Sequence, residues 1–235
     1  MESTTAAINA AETSAGFFPT LVQFFVEGGV FMYVILFVFL IGLAIAIERF
    51  IYLNLVQTRN QTVWKKLFPL LTQGKFKSAM DEAKTSTAAV AKILVYGLSR
   101  SAYATHHDEV EMAMEEGLME AIPSLERRTH YIAIFANIAT LLGLLGTIQG
   151  LITAFDAVAG ADPALKGDLL SASISVAMNT TAFGLIAAIP LMLIFAYLQS
   201  KTNQLIDSME MASVKFLNVF RQAQTQNKNK PAGTP

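Results

Sequence analysis

Residues 169–200 read LLSASISVAMNTTAFGLIAAIPLMLIFAYLQS, 32 residues without one Asp, Glu, Lys or Arg. About 20 such residues in a helix cross the hydrocarbon core of a bilayer. Two more stretches share the property: 30–47 (VFMYVILFVFLIGLAIAI) and 131–155 (YIAIFANIATLLGLLGTIQGLITAF), of 18 and 25 residues. Across its 235 residues the chain is 53% hydrophobic and only 15% charged. An ordinary soluble domain carries about 25% charged residues, so one core cannot absorb this apolar surplus. The expected fold is an all-α integral membrane protein with three transmembrane helices.

Positive charge orients those helices. Lys and Arg number 0 in residues 1–30, 10 in 54–130, 1 in 157–168 and 5 in 201–235. Cytoplasmic segments carry the excess, which predicts an outside N-terminus and an inside C-terminus. The division that follows is 1–29 outside, 30–53 first span, 54–130 cytoplasmic helices, 131–156 second span, 157–168 outer loop, 169–199 third span and 200–235 cytoplasmic helix and tail. Within 1–29, Phe17, Phe18, Leu21, Val22, Phe24 and Phe25 predict an interfacial amphipathic helix, with Gly28-Gly29 as a hinge. The first thirty residues lack the positive charge of a cleavable signal peptide. From Asp108 the sequence runs without a turn signal into the second span, which predicts one long helix kinked at Pro123. Short amphipathic helices broken at Gly74 are expected before it, and an apolar stripe from Leu205 to Phe220 after the third span.

Several chemistries are excluded. The chain has no cysteine, so thiolate metal sites, disulfides and cysteine nucleophiles are absent. A formal charge of -1 without a basic stripe argues against nucleic acid as a partner. The run His106-His107-Asp108-Glu109 reads as a helix start, with Thr105 to Asp108 as the cap, rather than as metal ligands. No phosphate loop or catalytic triad is present. Neither a metal, a cofactor nor an enzymatic activity is expected.

The second and third spans carry small and polar faces. Gly143, Gly146 and Gly150 share a face of the second with Thr140, Thr147 and Thr153; Ser173, Ala177, Thr180, Thr181 and Gly184 share one of the third. Small residues of this kind let helices approach closely in lipid. Asn179, Thr180 and Thr181 are three consecutive hydrogen-bonding side chains near mid-span, and Asn179 in particular wants a partner or a wet cavity. No span carries a mid-membrane charge, so an ion route through this chain needs a carboxylate from elsewhere. Glu48 and Arg49, ending the first span, read as interfacial anchors or as a coupling pair.

As strings, Ala177-Met178-Asn179-Thr180-Thr181-Ala182-Phe183-Gly184 through Ala188-Ile189-Pro190 resembles the signature of the ExbB/TolQ/MotA proton-channel family. Leu142-Gly143-Leu144-Leu145-Gly146-Thr147-Ile148-Gln149-Gly150 with Phe155 is similar to its second-span motif, and Glu27-Gly28-Gly29 through Glu48-Arg49 to its first span. The three-span count, the Glu27-Gly28-Gly29 start and the Ala187-Ala188-Ile189-Pro190 run favour ExbB. The resemblance implies a homo-oligomeric ring, a pentamer in that family, in the bacterial inner membrane. The ring surrounds a one-span ExbD/TolR-like partner that brings the carboxylate and, driven by the proton motive force, energises a TonB-type protein for outer-membrane transport. It implies that Thr147 and Thr181 line the ion path, with Thr180 and Asn179 beside them, and that Gly143, Gly146, Gly150, Gly184 and Pro190 pack the ring. ExbB proteins often carry Glu five residues before the third-span threonine; this chain has Val176 there. The Thr180-Thr181 pair also resembles sodium-type motility stators, so H+ and Na+ both stand as the translocated ion. A TolQ-like envelope motor and a non-conducting scaffold are the other readings, while a transporter working alone is disfavoured by the lack of an inverted repeat.

Overall fold

A computed structural model describes residues 24–25, 28–104 and 106–228, and its regular elements are all α-helices. The interfacial helix read at residues 17–25 lies largely outside the described residues, as do Glu27, Thr105 and the tail beyond residue 228. In order, the helices are α1 (Gly29–Thr72), α2 (Phe76–Thr85), α3 (Ala89–Ser101), α4 (His107–Glu126), α5 (Thr129–Ala159) and α6 (Lys166–Lys228). Three long helical stretches are apolar enough to cross a membrane, and they contain the three uncharged stretches of the sequence. This is an all-helical membrane protein.

The chain forms two compact units, one of Met1–Ala46 with His130–Phe195, the other of Ile47–Thr129 with Ala196–Pro235. In the first, apolar side chains such as Phe37, Leu141, Ile148, Ile189 and Leu193 stand exposed. Large bare apolar surface is untenable in water and ordinary in lipid. Met32, Ile35, Ile132, Ala136, Ala139 and Leu191 are buried. A Cβ on Gly42 would lie 2.9 Å from Leu191 and 3.3 Å from Phe135, so α1 packs against both other spans there.

The second unit holds the polar helices. Here α1 departs from the sequence reading: the segment before Gly74 is not a separate short helix but continues the first span, so that α1 runs unbroken from Gly29 to Thr72, passing Pro69. The stretch VQTRNQTVWKK at 56–66 contains no Gly or Pro to stop it, and Thr58 and Thr62 hydroxyls donate to carbonyls one turn back. It ends at Gly74, which adopts φ 71°. The Lys75 N–H donates to the Leu70 carbonyl and the Gly74 N–H to that of Leu71, each at 3.0 Å. This is the paired closure in which glycine, free of a Cβ penalty, takes the left-handed position.

A second departure concerns the long helix expected from Asp108 through the second span. Pro123 sits inside α4 without ending it. The break comes at Arg127-Arg128, where Arg128 adopts φ 68°. A non-glycine residue in that region costs about 1 kcal/mol or more, so neighbouring contacts must hold it there. No turn residue marks the place.

The core of the polar unit centres on Phe216, which is fully buried. It stacks on Phe220 with ring centroids 6.2 Å apart, and Phe76 meets Phe220 edge-on at the same distance. At Gly97 an added Cβ would collide with Met114 and lie 3.0 Å from the Phe216 ring, so α3, α4 and α6 converge there. The apolar stripe of α6 is Leu205, Met209, Ala212, Phe216 and Phe220, a helical repeat with Val214 left exposed rather than included. On the rim, the Tyr96 hydroxyl donates to Glu120 at 2.6 Å, and the carboxylate raises the Tyr96 pKa above the ordinary phenol value. Phe216→Ala should destabilise this unit by about 3–5 kcal/mol through the cavity it leaves. Hydrogen exchange of the α3 amides in detergent-purified protein reads it: exchange should rise sharply there, and unchanged protection would show that Phe216 is not the keystone of the unit.

Candidate functional site

The second and third spans meet along glycine. A Cβ on Gly184 would lie 2.8 Å from the Ala139 carbonyl and 3.0 Å from the Gly143 Cα; one on Gly143 would lie 3.3 Å from the Cα atoms of Gly184 and Thr181. Real Cβ atoms do not sit that close to backbone, so α5 and α6 cross here at a distance only glycine permits. Gly150 continues the seam, where a Cβ would lie 2.7 Å from that of Ala177, and at Gly146 it would run into Thr180. All four glycines thus pack within one chain. Pro190, by contrast, is exposed on α6.

This proximity decides what the threonines do. Thr181 Oγ1 donates to the Gly143 carbonyl at 2.8 Å, a hydrogen bond between helices. Thr180, only 1% exposed, shares its proton between the carbonyls of Gly28 at 3.0 Å and Val176 at 2.8 Å. It ties the start of the first span to the third. The sequence reading placed Thr180 beside the ion path; here its hydroxyl is engaged within the packing of the three spans, and the residue also lines a cavity beside the seam.

Thr147 and Thr181 are both half-buried at the margin of the seam. Thr147 donates to the Leu144 carbonyl at 2.6 Å. With their single protons committed to backbone, both hydroxyls turn only oxygen lone pairs outward. They can accept from a cation or a protonated group and cannot donate to it. Thr140 and Thr153 are exposed and bond back within α5. Asn179 is half-buried on another face of α6, near exposed Ser175, and its amide has no hydrogen-bond partner among the described residues. The structure therefore brings Thr147 and Thr181 to one seam and sets Asn179 apart from both. Beside the seam, a cavity of about 240 Å³ is lined by Gln149, Thr153, Ser173 and Thr180.

Glu48 and Arg49 part company. Arg49 is 3% exposed, and its guanidinium donates to the carbonyls of Leu125 at 2.7 Å and Ser124 at 3.5 Å and to Thr129 Oγ1 at 3.4 Å. Those carbonyls belong to the last turn of α4, which the break leaves without intrahelical partners. A cation at a helix C-terminus also meets the negative end of the helix dipole. Arg49 is thus a buried cap that holds the break open rather than an anchor in the headgroups. Glu48 reaches Arg128 at 3.7 Å, with both side chains about half exposed (45% and 54%), a pair worth little by itself. Sequence alone gave no sign of these carbonyl acceptors or of that of Gly28, because backbone atoms carry no residue code. At the start of α4, His106 occupies the cap position without a side-chain hydrogen bond, and Thr105 lies outside the described residues.

Two outcomes are expected from this geometry. Gly143→Leu and Gly184→Leu should each cost about 1–3 kcal/mol or more by forcing the seam apart, seen as loss of the folded species in detergent chromatography. Wild-type behaviour of both would show that the helices do not cross here. Arg49→Ala should cost about 1–3 kcal/mol by stranding the α4 carbonyls, read as a lowered Tm; an unchanged Tm would mean that water caps α4 equally well.

Residues 85–211, more than half of the chain, match the MotA/TolQ/ExbB proton channel family. Over 197 residues, 83% of this chain and 68% of the relative, it is 29% identical to a biopolymer transport protein ExbB homolog of Methanothermobacter thermautotrophicus. It is 24% identical over 209 residues, 87% of this chain and 80% of the relative, to an ExbB-like protein of Synechocystis. A shorter match of 91 residues, 39% of this chain and 40% of the relative, is 35% identical to the Tol-Pal system protein TolQ of Haemophilus influenzae. Three apolar spans, the glycine seam with its threonines and these similarities lead to one conclusion: the chain belongs to the MotA/TolQ/ExbB proton channel family.

Proposed function

We propose that this chain is the ring-forming subunit of an ExbB-type ion-channel motor in the bacterial inner membrane, with its N-terminus periplasmic and its C-terminus cytoplasmic. It works without covalent chemistry or a cofactor. Copies of the chain, five by family resemblance, enclose the span of an ExbD/TolR-like partner. Ion flow past that span moves the partner, which energises a TonB-type protein. The observation that supports this most is a division of chemistry. The spans carry hydroxyls that present only acceptor oxygens at Thr147 and Thr181, and no Asp, Glu, Lys or Arg in residues 131–155 or 169–200. Such a wall conducts only when a second chain supplies the titrating acid.

The same geometry favours protons over sodium. A dehydrated Na+ needs several oxygen ligands, and Thr180, buried where its hydroxyl joins the first span to the third, is poorly placed to act together with Thr147 and Thr181. A proton needs only the partner's carboxylate beside an acceptor or a water. The sodium-driven variant requires Asn179 to swing to the seam. A TolQ-like envelope motor is the second reading, favoured by the local similarity to a Tol-Pal system protein.

Thr181→Val preserves shape but removes the acceptor oxygen together with the bond to Gly143. Assembly should survive while energy transduction falls to background. Full activity at normal expression would leave a non-conducting scaffold as the better account. For the ion, activity is followed at fixed membrane potential and pH gradient while external Na+ is varied. Indifference to Na+ with abolition by a protonophore is expected, and saturable rescue by Na+ would overturn the proton assignment. Thr180→Ala should lower thermal stability without altering ion preference.

A further inference from the structure

Away from the spans, the polar unit holds a cavity of about 380 Å³ that opens at the start of α3. Helix α3 begins at Ala89 with Ala88 as its cap residue, no side-chain cap and no acidic residue in its first turn. Ser86 Oγ accepts the Ala88 N–H and Asn60 Oδ1 that of Val90, but no acidic side chain of the first turn offsets the positive potential of the helix start. The Ala89 N–H has no acceptor among the described residues. Arg59 and Lys92 line the same cavity, both exposed, and neither makes an ion pair or hydrogen bond among the described residues. Its lining contains one carboxylate, Glu120, already engaged by the Tyr96 hydroxyl.

Asn60 is the independent observation. It is 6% exposed and lines both this cavity and a smaller one of about 120 Å³. Its Oδ1 accepts the Val90 N–H of α3 at 3.3 Å, which fixes the orientation of the amide, since the opposite rotamer would set donor against donor. Nδ2 is then a buried donor without a partner. Orphaned buried donors are rare and costly. Donor, helix start and two cations all lack the same thing, an anion with several acceptor oxygens.

The geometry points to a phosphate-binding site here, formed by Arg59, Lys92, the Asn60 amide and the α3 N-terminus. Either a free phosphate or the headgroup of an anionic phospholipid meets this chemistry. Tyr52, another lining residue, falls at the end of the first span as read from sequence. The site is independent of the ion path, and its test does not depend on transport.

The test uses the full-length chain, delipidated in detergent, with two probes. Inorganic phosphate is titrated by calorimetry. Nanodiscs of phosphatidylcholine with or without phosphatidylglycerol are followed by native mass spectrometry for retained lipid. Three variants accompany wild type: Arg59→Gln with Lys92→Gln, Asn60→Asp, and a control pair, Lys75→Gln with Lys77→Gln, on exposed positions elsewhere. Asn60→Asp keeps the acceptor for Val90 and replaces the orphaned donor by an oxygen. Wild type and the control should bind, with affinity reduced about tenfold or more in the cation pair, as expected for two basic side chains near a phosphate. Asn60→Asp should lose binding while keeping its Tm. Binding of phosphate identifies a soluble anion; retention of phosphatidylglycerol alone identifies a lipid. If wild type binds neither probe, or if the variants bind as wild type does, the proposal is wrong and Asn60 is satisfied by water.

Discussion

Everything polar in the membrane half of this protein depends on how closely Gly143 and Gly184 let two helices cross. In lipid the hydrophobic effect does not draw helices together, so association rests on packing and hydrogen bonds. Both become available here only because a backbone lies where a side chain would otherwise stand, with a hypothetical Gly184 Cβ 3.0 Å from the Gly143 Cα. At that range the Thr181 hydroxyl reaches the Gly143 carbonyl at 2.8 Å. The preceding residue, Thr180, is drawn in far enough to hold Gly28 as well. The seam therefore sets the role of each threonine, one locked inside and one at the margin with its oxygen turned out.

The other organising contact is Arg49. A break between α4 and α5 would strand carbonyls near the membrane boundary, and a buried guanidinium answers two of them and a hydroxyl at once. Its planar fork of donors suits that task in a way a lysine ammonium does not. The left-handed Arg128 and the cap at Arg49 belong together, since the guanidinium on α1 bonds residues on both sides of the break, Ser124 and Leu125 before it and Thr129 after it.

Much of the fold was legible because its signals are local. Charge-free runs of sufficient length, the small residues of the two faces and Gly74 are read directly from residue type, and each has a direct physical meaning. What escaped reading depends on contacts distant in sequence. Asn179, Thr180 and Thr181 look equivalent as a string, yet helical geometry sends them in three directions, and only the neighbours decide which is sealed. The break at Arg127-Arg128 carries no Gly or Pro, so it was invisible, whereas Pro123, the stronger signal in the string, lies inside α4. The buried cap by Arg49 was hidden for the same reason: its acceptors are backbone oxygens 75 and more residues away.

The central claim is that this chain forms the wall of an ion path and not its titrating element. Measuring ion flux in proteoliposomes tests it most directly, with the purified chain alone and then co-reconstituted with a one-span partner bearing a membrane carboxylate. Flux at the protein-free background for the chain alone, rising when the partner is present and vanishing when its carboxylate is replaced by an amide, is the predicted result. Sustained flux through the chain alone would contradict the account.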